Sequence, residues 1–143
     1  MFKFLLLFFL LLSTTSSLAQ KMVQRIDDAK KLQLNQKQFI GKPLNALLSQ
    51  IVLEIKYVYG TPDNRSSGAV GGTYLKLFFV DRNEVIKEYN KNEDPTGITV
   101  RFQLEPNNNR KPIPVGGINI TKGELLKEYG DMIVQSVYVS GQN

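Results

Sequence analysis

The chain contains no cysteine and no histidine. Disulfides and ordinary zinc sites are therefore excluded, and whatever the chain folds into must be held by packed side chains alone. A small chain can meet that condition only through one core that buries most of its apolar residues. Of the 143 residues, 42% are hydrophobic, and at this length folding removes roughly 65% of the unfolded surface from water. The same absences narrow the chemistry. A Ser-His-Asp triad and a Cys-His pair are ruled out, and no Ser-x-x-Lys spacing occurs.

Residues 1–19 have the pattern of a cleavable secretory signal. Met1-Phe2-Lys3 gives a short positive start, Phe4 to Leu12 an unbroken apolar run of nine, and Ser17-Leu18-Ala19 the small residues of a cleavage site. A spanning helix needs about 20 apolar residues, so the expectation is export, with Gln20 as the new N-terminus and no membrane-spanning segment after cleavage. An exported domain without cysteine suits the periplasm or the surroundings of a bacterial envelope. Two sequons, Asn64-Arg65-Ser66 and Asn119-Ile120-Thr121, are short enough to arise by chance.

The chain carries 18 basic and 13 acidic side chains; removing Lys3 with the leader leaves a net charge of +4. Only Lys30-Lys31 and Arg110-Lys111 are adjacent basic pairs. Such scattered charge is a solvated, mildly basic surface and not a nucleic-acid stripe. The partner it suits is a protein or an anionic envelope component.

Residues 20–34 are polar and glutamine-rich, compatible with either a tether or a loosely held first helix. Pro43 suits the first turn of a helix, and Leu44, Leu47, Leu48 and Ile51 recur at i, i+3, i+4 and i+7, which places them on one core-facing stripe. From Leu53 to Tyr59 the pattern alternates, with Leu53, Ile55, Tyr57 and Tyr59 expected inward and Val58 outward. Thr73 to Val80 is apolar on both faces, the mark of a central strand. Asp81 with Glu84, and Thr121 with Glu124, read as capping boxes opening two helices. Their inward residues are expected to be Val85, Ile86 and Tyr89 in one, and Leu125, Leu126 and Tyr129 in the other, the second closed by Gly130. Ile98, Val100, Phe102 and Leu104 alternate as a one-sided strand, and a last strand runs from about Met132 to Val139.

Glu84-Val85-Ile86-Lys87-Glu88-Tyr89 and Glu124-Leu125-Leu126-Lys127-Glu128-Tyr129 match in residue type throughout. Duplication explains the match, and so does the small repertoire of capped amphipathic helices.

Two stretches are long enough, and irregular enough, to be functional loops: Gly60 to Gly72 and Glu105 to Gly117. The second holds Arg110-Lys111 between Pro106, Pro112 and Pro114, a stiffened basic loop suited to an acidic partner. The first offers Asp63 and Arg65. Arg110, Lys111, Asp63 and Arg65 are accordingly the candidate binding residues, with no catalytic residue, metal site or cofactor assigned. The competing possibility is a carboxylate-only hydrolase of cell-wall or polysaccharide substrates, which requires Glu93, Asp94 and Glu105 to converge across a cleft.

The leader, Phe39-Ile40-Gly41-Lys42-Pro43-Leu44, Tyr57-Val58-Tyr59-Gly60 and the closing Tyr129-Gly130-Asp131-Met132-Ile133 together resemble small uncharacterised exported proteins of bacteria. The short helix leading into an antiparallel sheet is similar in architecture to SmpA/OmlA-like and β-lactamase-inhibitor-like envelope modules. Neither resemblance implies a functional residue, and this chain lacks the lipidated cysteine of the lipoproteins. The expected fold is α+β: a mainly antiparallel sheet of about four strands with two or three short helices packed on one face. The expected organisation is a signal peptide (1–19), a polar N-terminal segment (20–34) and a single domain (35–143). The expected function is that of an exported, non-catalytic binding module.

Overall fold

The structure, a computed structural model, describes residues 20–63, 72–106 and 109–142. The leader, Arg65 and most of the glycine-rich stretch after Gly60 lie outside the described residues. The fold is α+β. Five strands, β1 (Tyr57–Thr61), β2 (Tyr74–Phe78), β3 (Gly97–Phe102), β4 (Ile118–Asn119) and β5 (Val134–Ser140), form one antiparallel sheet in the order β4-β1-β2-β3-β5. Four helices accompany them: α1 (Lys30–Leu34), α2 (Leu44–Leu48), α3 (Arg82–Asn90) and α4 (Lys122–Tyr129).

Alternation along the strands divides the sheet into two unlike faces. The register sets Val58 opposite Leu77, Leu77 opposite Ile98 and Ile98 opposite Val139, and in the next row Leu75 opposite Val100 and Val100 opposite Val137. All of these are buried, and they share one core with Leu32 of α1, Leu44, Leu47 and Leu48 of α2, and Leu125 and Tyr129 of α4. Three helices thus roof one face. The i, i+3, i+4, i+7 stripe of α2 is entirely interior, with Ile51 1% exposed and the three leucines at 0%. β2, apolar on both faces, is the middle strand of the five.

Parity is not carried through residues 52–56. Ile55 and Val58 are both in the main core, while Tyr57 stacks with Phe78 on the opposite face. The sheet begins only at Tyr57, so the expected inward set of Leu53, Ile55, Tyr57 and Tyr59 splits in two, and Val58, expected outward, is buried. Likewise β3 ends at Phe102, leaving Leu104 63% exposed.

Helix α3 takes the other face. Val85 packs with Tyr57 and Phe78 in a small second cluster, and Ile86 and Tyr89, expected inward, are 39% and 42% exposed. One apolar row is all that this face offers near the helix, so only one turn-spaced position is buried. The look-alike helix α4 lies on the opposite side of the sheet, on the main core. Thr121 and Glu124 form the expected reciprocal capping box, whereas at α3 only half of it is present: Asp81 accepts from the Glu84 amide at 3.0 Å, and the Glu84 carboxylate turns to Lys87 instead. Gly130 ends α4 with φ −61°, so its role is not a left-handed cap.

The glutamine-rich segment 20–34 is helical from Ile26 onward and built into the molecule. Val23, Ala29 and Leu32 are fully buried, and Val23 joins Ile51 in a parallel bridge. Its polar side chains have a distinct task. β5 is an edge strand, and its outward amides would be open to pairing with another chain. Gln33 accepts from the Val139 amide at 2.9 Å and Gln36 from the Val137 amide at 3.2 Å. Two side-chain amides therefore close the edge that a sixth strand would otherwise occupy.

If the segment is integral to the core, Leu32→Ala lowers unfolding stability by about 2–5 kcal/mol in urea denaturation. A change below about 0.5 kcal/mol, the size expected of a surface tether, would show that its packing is dispensable.

Candidate functional site

Of the cations singled out in the sequence, Arg110 is already occupied. Arg110 forks onto Glu105, with Nε donating at 3.1 Å and Nη2 at 2.8 Å, and its Nη1 also reaches Asp131. This planar, bidentate geometry is the strongest ion-pair arrangement available to the side chain. It fastens the loop after β3 to the end of α4. Hydrogen bonding to Glu105 and then Asp131 raises the Arg110 pKa further, and Arg110 in turn holds the Asp131 carboxyl below its usual range. Lys111 is exposed, but its backbone carbonyl receives the hydroxyl of buried Tyr129 at 2.8 Å. A cleft of about 330 Å³ here is lined by Glu105, Asn109, Arg110, Lys111 and Glu128. With Asp131, three carboxylates face two cations, so this is a structural clamp and a poor anion site.

Asp63 is half-buried just past the end of β1, and its charge is felt at the Tyr129 phenol. The two long loops therefore do approach one another, as far as Asp63 and the 109–117 stretch describe them. Glu93, Asp94 and Glu105 do not converge. Asp94 precedes β3 and Glu105 follows it; a strand of that length separates them by roughly 20 Å. Among the described residues no group of three or more metal-ligating side chains is close enough to hold an ion. No helix of these residues is long and apolar enough to cross a membrane.

The sheet face opposite the main core has more to offer. Beyond the row covered by α3, the register places Tyr59, Lys76, Thr99 and Tyr138 side by side across four strands, and Thr61, Tyr74, Arg101 and Ser136 in the next row. Lys76 and Arg101 are the charged residues of this face, and its described strand positions include no carboxylate. Tyr138 is 57% exposed, and Arg101 is exposed as well. Lys76 donates to the Tyr89 hydroxyl at 3.3 Å, and Lys30 reaches in from α1 to lie 5.7 Å above the Tyr138 ring. The rings are held in place: Tyr59 stacks on Phe78 with centroids 5.8 Å apart and meets Tyr74 edge-on at 6.3 Å. Burial raises the Tyr59 phenol pKa, so the ring presents a neutral hydroxyl.

This face runs into a cleft of about 350 Å³ between Tyr59, Thr61 and Tyr74 on one side and Ile113–Gly116 on the other. β4 covers only Tyr57 and Val58 of β1, which leaves the edge from Tyr59 onward facing that cleft. Its loop wall is preset. The Gly116 carbonyl accepts from the Tyr57 hydroxyl at 2.8 Å and from Arg82 Nε at 3.0 Å. Gly117, at φ +74°, sits where a Cβ would come within 2.5 Å of the Val58 carbonyl oxygen. A side chain there would force the wall away from the strand. At the tip, Val115 is fully exposed beside Pro114. A larger cavity of about 410 Å³ lies beside Lys21, Met22 and Arg25, where Lys31 is paired with Asp28 and Arg25 with Asp27.

No protein-family model, curated protein or solved structure matches this chain. Tyr59 escaped the sequence reading because it was taken as core; the signal was the alternation of Tyr74 with Lys76 and of Thr99 with Arg101 about the apolar Leu75 and Val100.

The clamp makes acid stability testable. The depressed Asp131 pKa contributes stability that is fully present above the carboxylate's unfolded value and is lost as pH falls below about 4. Asp28 and Glu124, held down chiefly by hydrogen bonds from Lys31 and from the Thr121 backbone respectively, act in the same direction. Asp131→Asn should therefore flatten the fall in melting temperature between about pH 5 and pH 2. An unchanged acid limb would mean that the clamp does not contribute.

Proposed function

We propose that this protein is an exported, non-catalytic binding module that takes an anionic component of the cell envelope on the open face of its sheet. The leader pattern supports export. The observation that carries the binding assignment is the open face itself: half-exposed tyrosines with Lys76 and Arg101, no carboxylate on the face's described strand positions, and a preset cleft continuous with it. Face and core divide their tasks, since the apolar side is fully roofed and the aromatic side is left open in the absence of any folding requirement that it be so. Lys76 and Arg101 serve this role better than Arg110, which already has two carboxylates. The hydrolase alternative loses its cleft, because its carboxylates stand at opposite ends of β3.

Co-sedimentation of the purified protein with isolated bacterial envelopes tests the assignment. Binding should be strong at about 20 mM salt and several-fold weaker at about 500 mM, where screening extends over only a few ångströms. The pair Lys76→Gln and Arg101→Gln should reduce the bound fraction several-fold. The pair Lys37→Gln and Lys127→Gln, which removes the same charge elsewhere, should not. Equal loss in both pairs would reduce the interaction to net charge and reject the face as a site.

A further inference from the structure

Resting on that reading, we infer that the ligand is an acidic polysaccharide, laid across the strands over Tyr59 and Tyr138 with its end against the Val115 loop. Three features of the face select this class among polyanions.

The first is charge density. Lys76 and Arg101 sit on neighbouring strands one row apart in the register, a diagonal separation of roughly 7–8 Å between backbones. A single-stranded nucleic acid is tracked by a continuous basic groove that meets successive phosphates. Lys76 and Arg101, with Lys30 at the Tyr138 end of the row, are separate cations and suit a polymer that carries widely spaced charges.

The second is the chemistry of the remaining positions. Thr99 stands opposite Lys76 and two positions before Arg101, and Ser136 lies opposite Arg101, so hydroxyls accompany both cations; the aromatic residues are tyrosines, half-buried at Tyr59 and Tyr74 and exposed at Tyr138. Hydroxyls donate and accept alternately, as the hydroxyls of a sugar do. A tyrosine ring offers an apolar plane for the C–H face of a pyranose and a polar rim for its hydroxyls. A lipid surface would require an apolar patch, and on this face the apolar residues Phe78 and Tyr57 lie beneath α3.

The third is length. From β1 to β5 the row Tyr59, Lys76, Thr99, Tyr138 crosses three strand spacings, about 14 Å, the reach of a short oligosaccharide. The cleft at its β1 end, about 350 Å³, falls within the size range of small-ligand pockets. Its Tyr59–Tyr74 pair stands at 89°, which gives a floor and a side wall for one ring.

The test is a calorimetric titration of the full-length product, expressed with its own leader, against four probes. These are polygalacturonate, its methyl-esterified form, poly-L-glutamate and oligo-dT, all at low salt. Polygalacturonate should bind at least tenfold more tightly than either poly-L-glutamate, which keeps the charge without the sugar, or the methyl ester, which keeps the sugar without the charge. Tyr138→Ala, at an exposed position that spares the core, should weaken polygalacturonate at least fivefold with an unchanged melting temperature. Arg101→Gln should weaken it and lower its salt dependence. Equal or tighter binding of poly-L-glutamate or oligo-dT would overturn the glycan assignment while the anion-binding reading stands. Binding of none of the four would overturn both.

Discussion

The apolar face of the sheet must be roofed, and with no cysteine in the chain no disulfide can hold the roof in place, so packing and hydrogen bonds must. Val58, Leu75, Leu77, Ile98, Val100, Val137 and Val139 make that face, and α1, α2 and α4 cover it. The remaining features follow from this one-sided burial. It requires the 20–34 segment to pack, since Leu32 completes the roof over β5. It requires the loop after β3 to be fastened by Arg110, so that Ile113 can be buried. It also leaves the other face under no obligation to be apolar beyond the row beneath α3.

Edges and loops in this protein are closed by specific polar groups. Gln33 and Gln36 satisfy the β5 amides that would invite another strand. At the opposite edge β4 is only two residues long, and the strand beyond it is left facing a cleft whose wall is set by Tyr57, Arg82 and Gly117. One edge is thereby closed by the protein's own side chains, and the other is shaped into a recess. The asymmetry places the recess and the open tyrosine face at the same corner of the molecule.

Much of the architecture was legible from local patterns. The Leu44–Ile51 stripe, the doubly apolar central strand and the two capped helices follow from spacing and capping chemistry, which depend on neighbours in sequence. What was not legible depended on parity and on partners distant in sequence. Tyr57 and Tyr59 were assigned to the same face as Ile55 because alternation was extended through residues 52–56, where no strand exists; Tyr57 is buried, but under α3, and Tyr59 is half-exposed. Ile86, Leu126 and Tyr89 were assigned inward because helical spacing does not report how wide the receiving surface is. The N-terminal segment was left open between a tether and a loosely held helix because its glutamines are polar, and their task, bonding amides more than 100 positions away, leaves no local trace. Arg110 looked like a free cation because its fork onto Glu105, five residues back, depends on how the loop folds, and Asp131, 21 residues on, lies outside that loop.

The central claim is that one face of the sheet folds the protein and the other binds. Tyrosine-ring NMR during titration with an acidic oligosaccharide tests it most directly, because the six tyrosines sample both faces. The account predicts that the Tyr59, Tyr74 and Tyr138 resonances shift progressively, while Tyr129, buried in the roofed core, does not move. Shifts centred on Tyr129 and the 105–111 loop, with the open-face rings unperturbed, would contradict it.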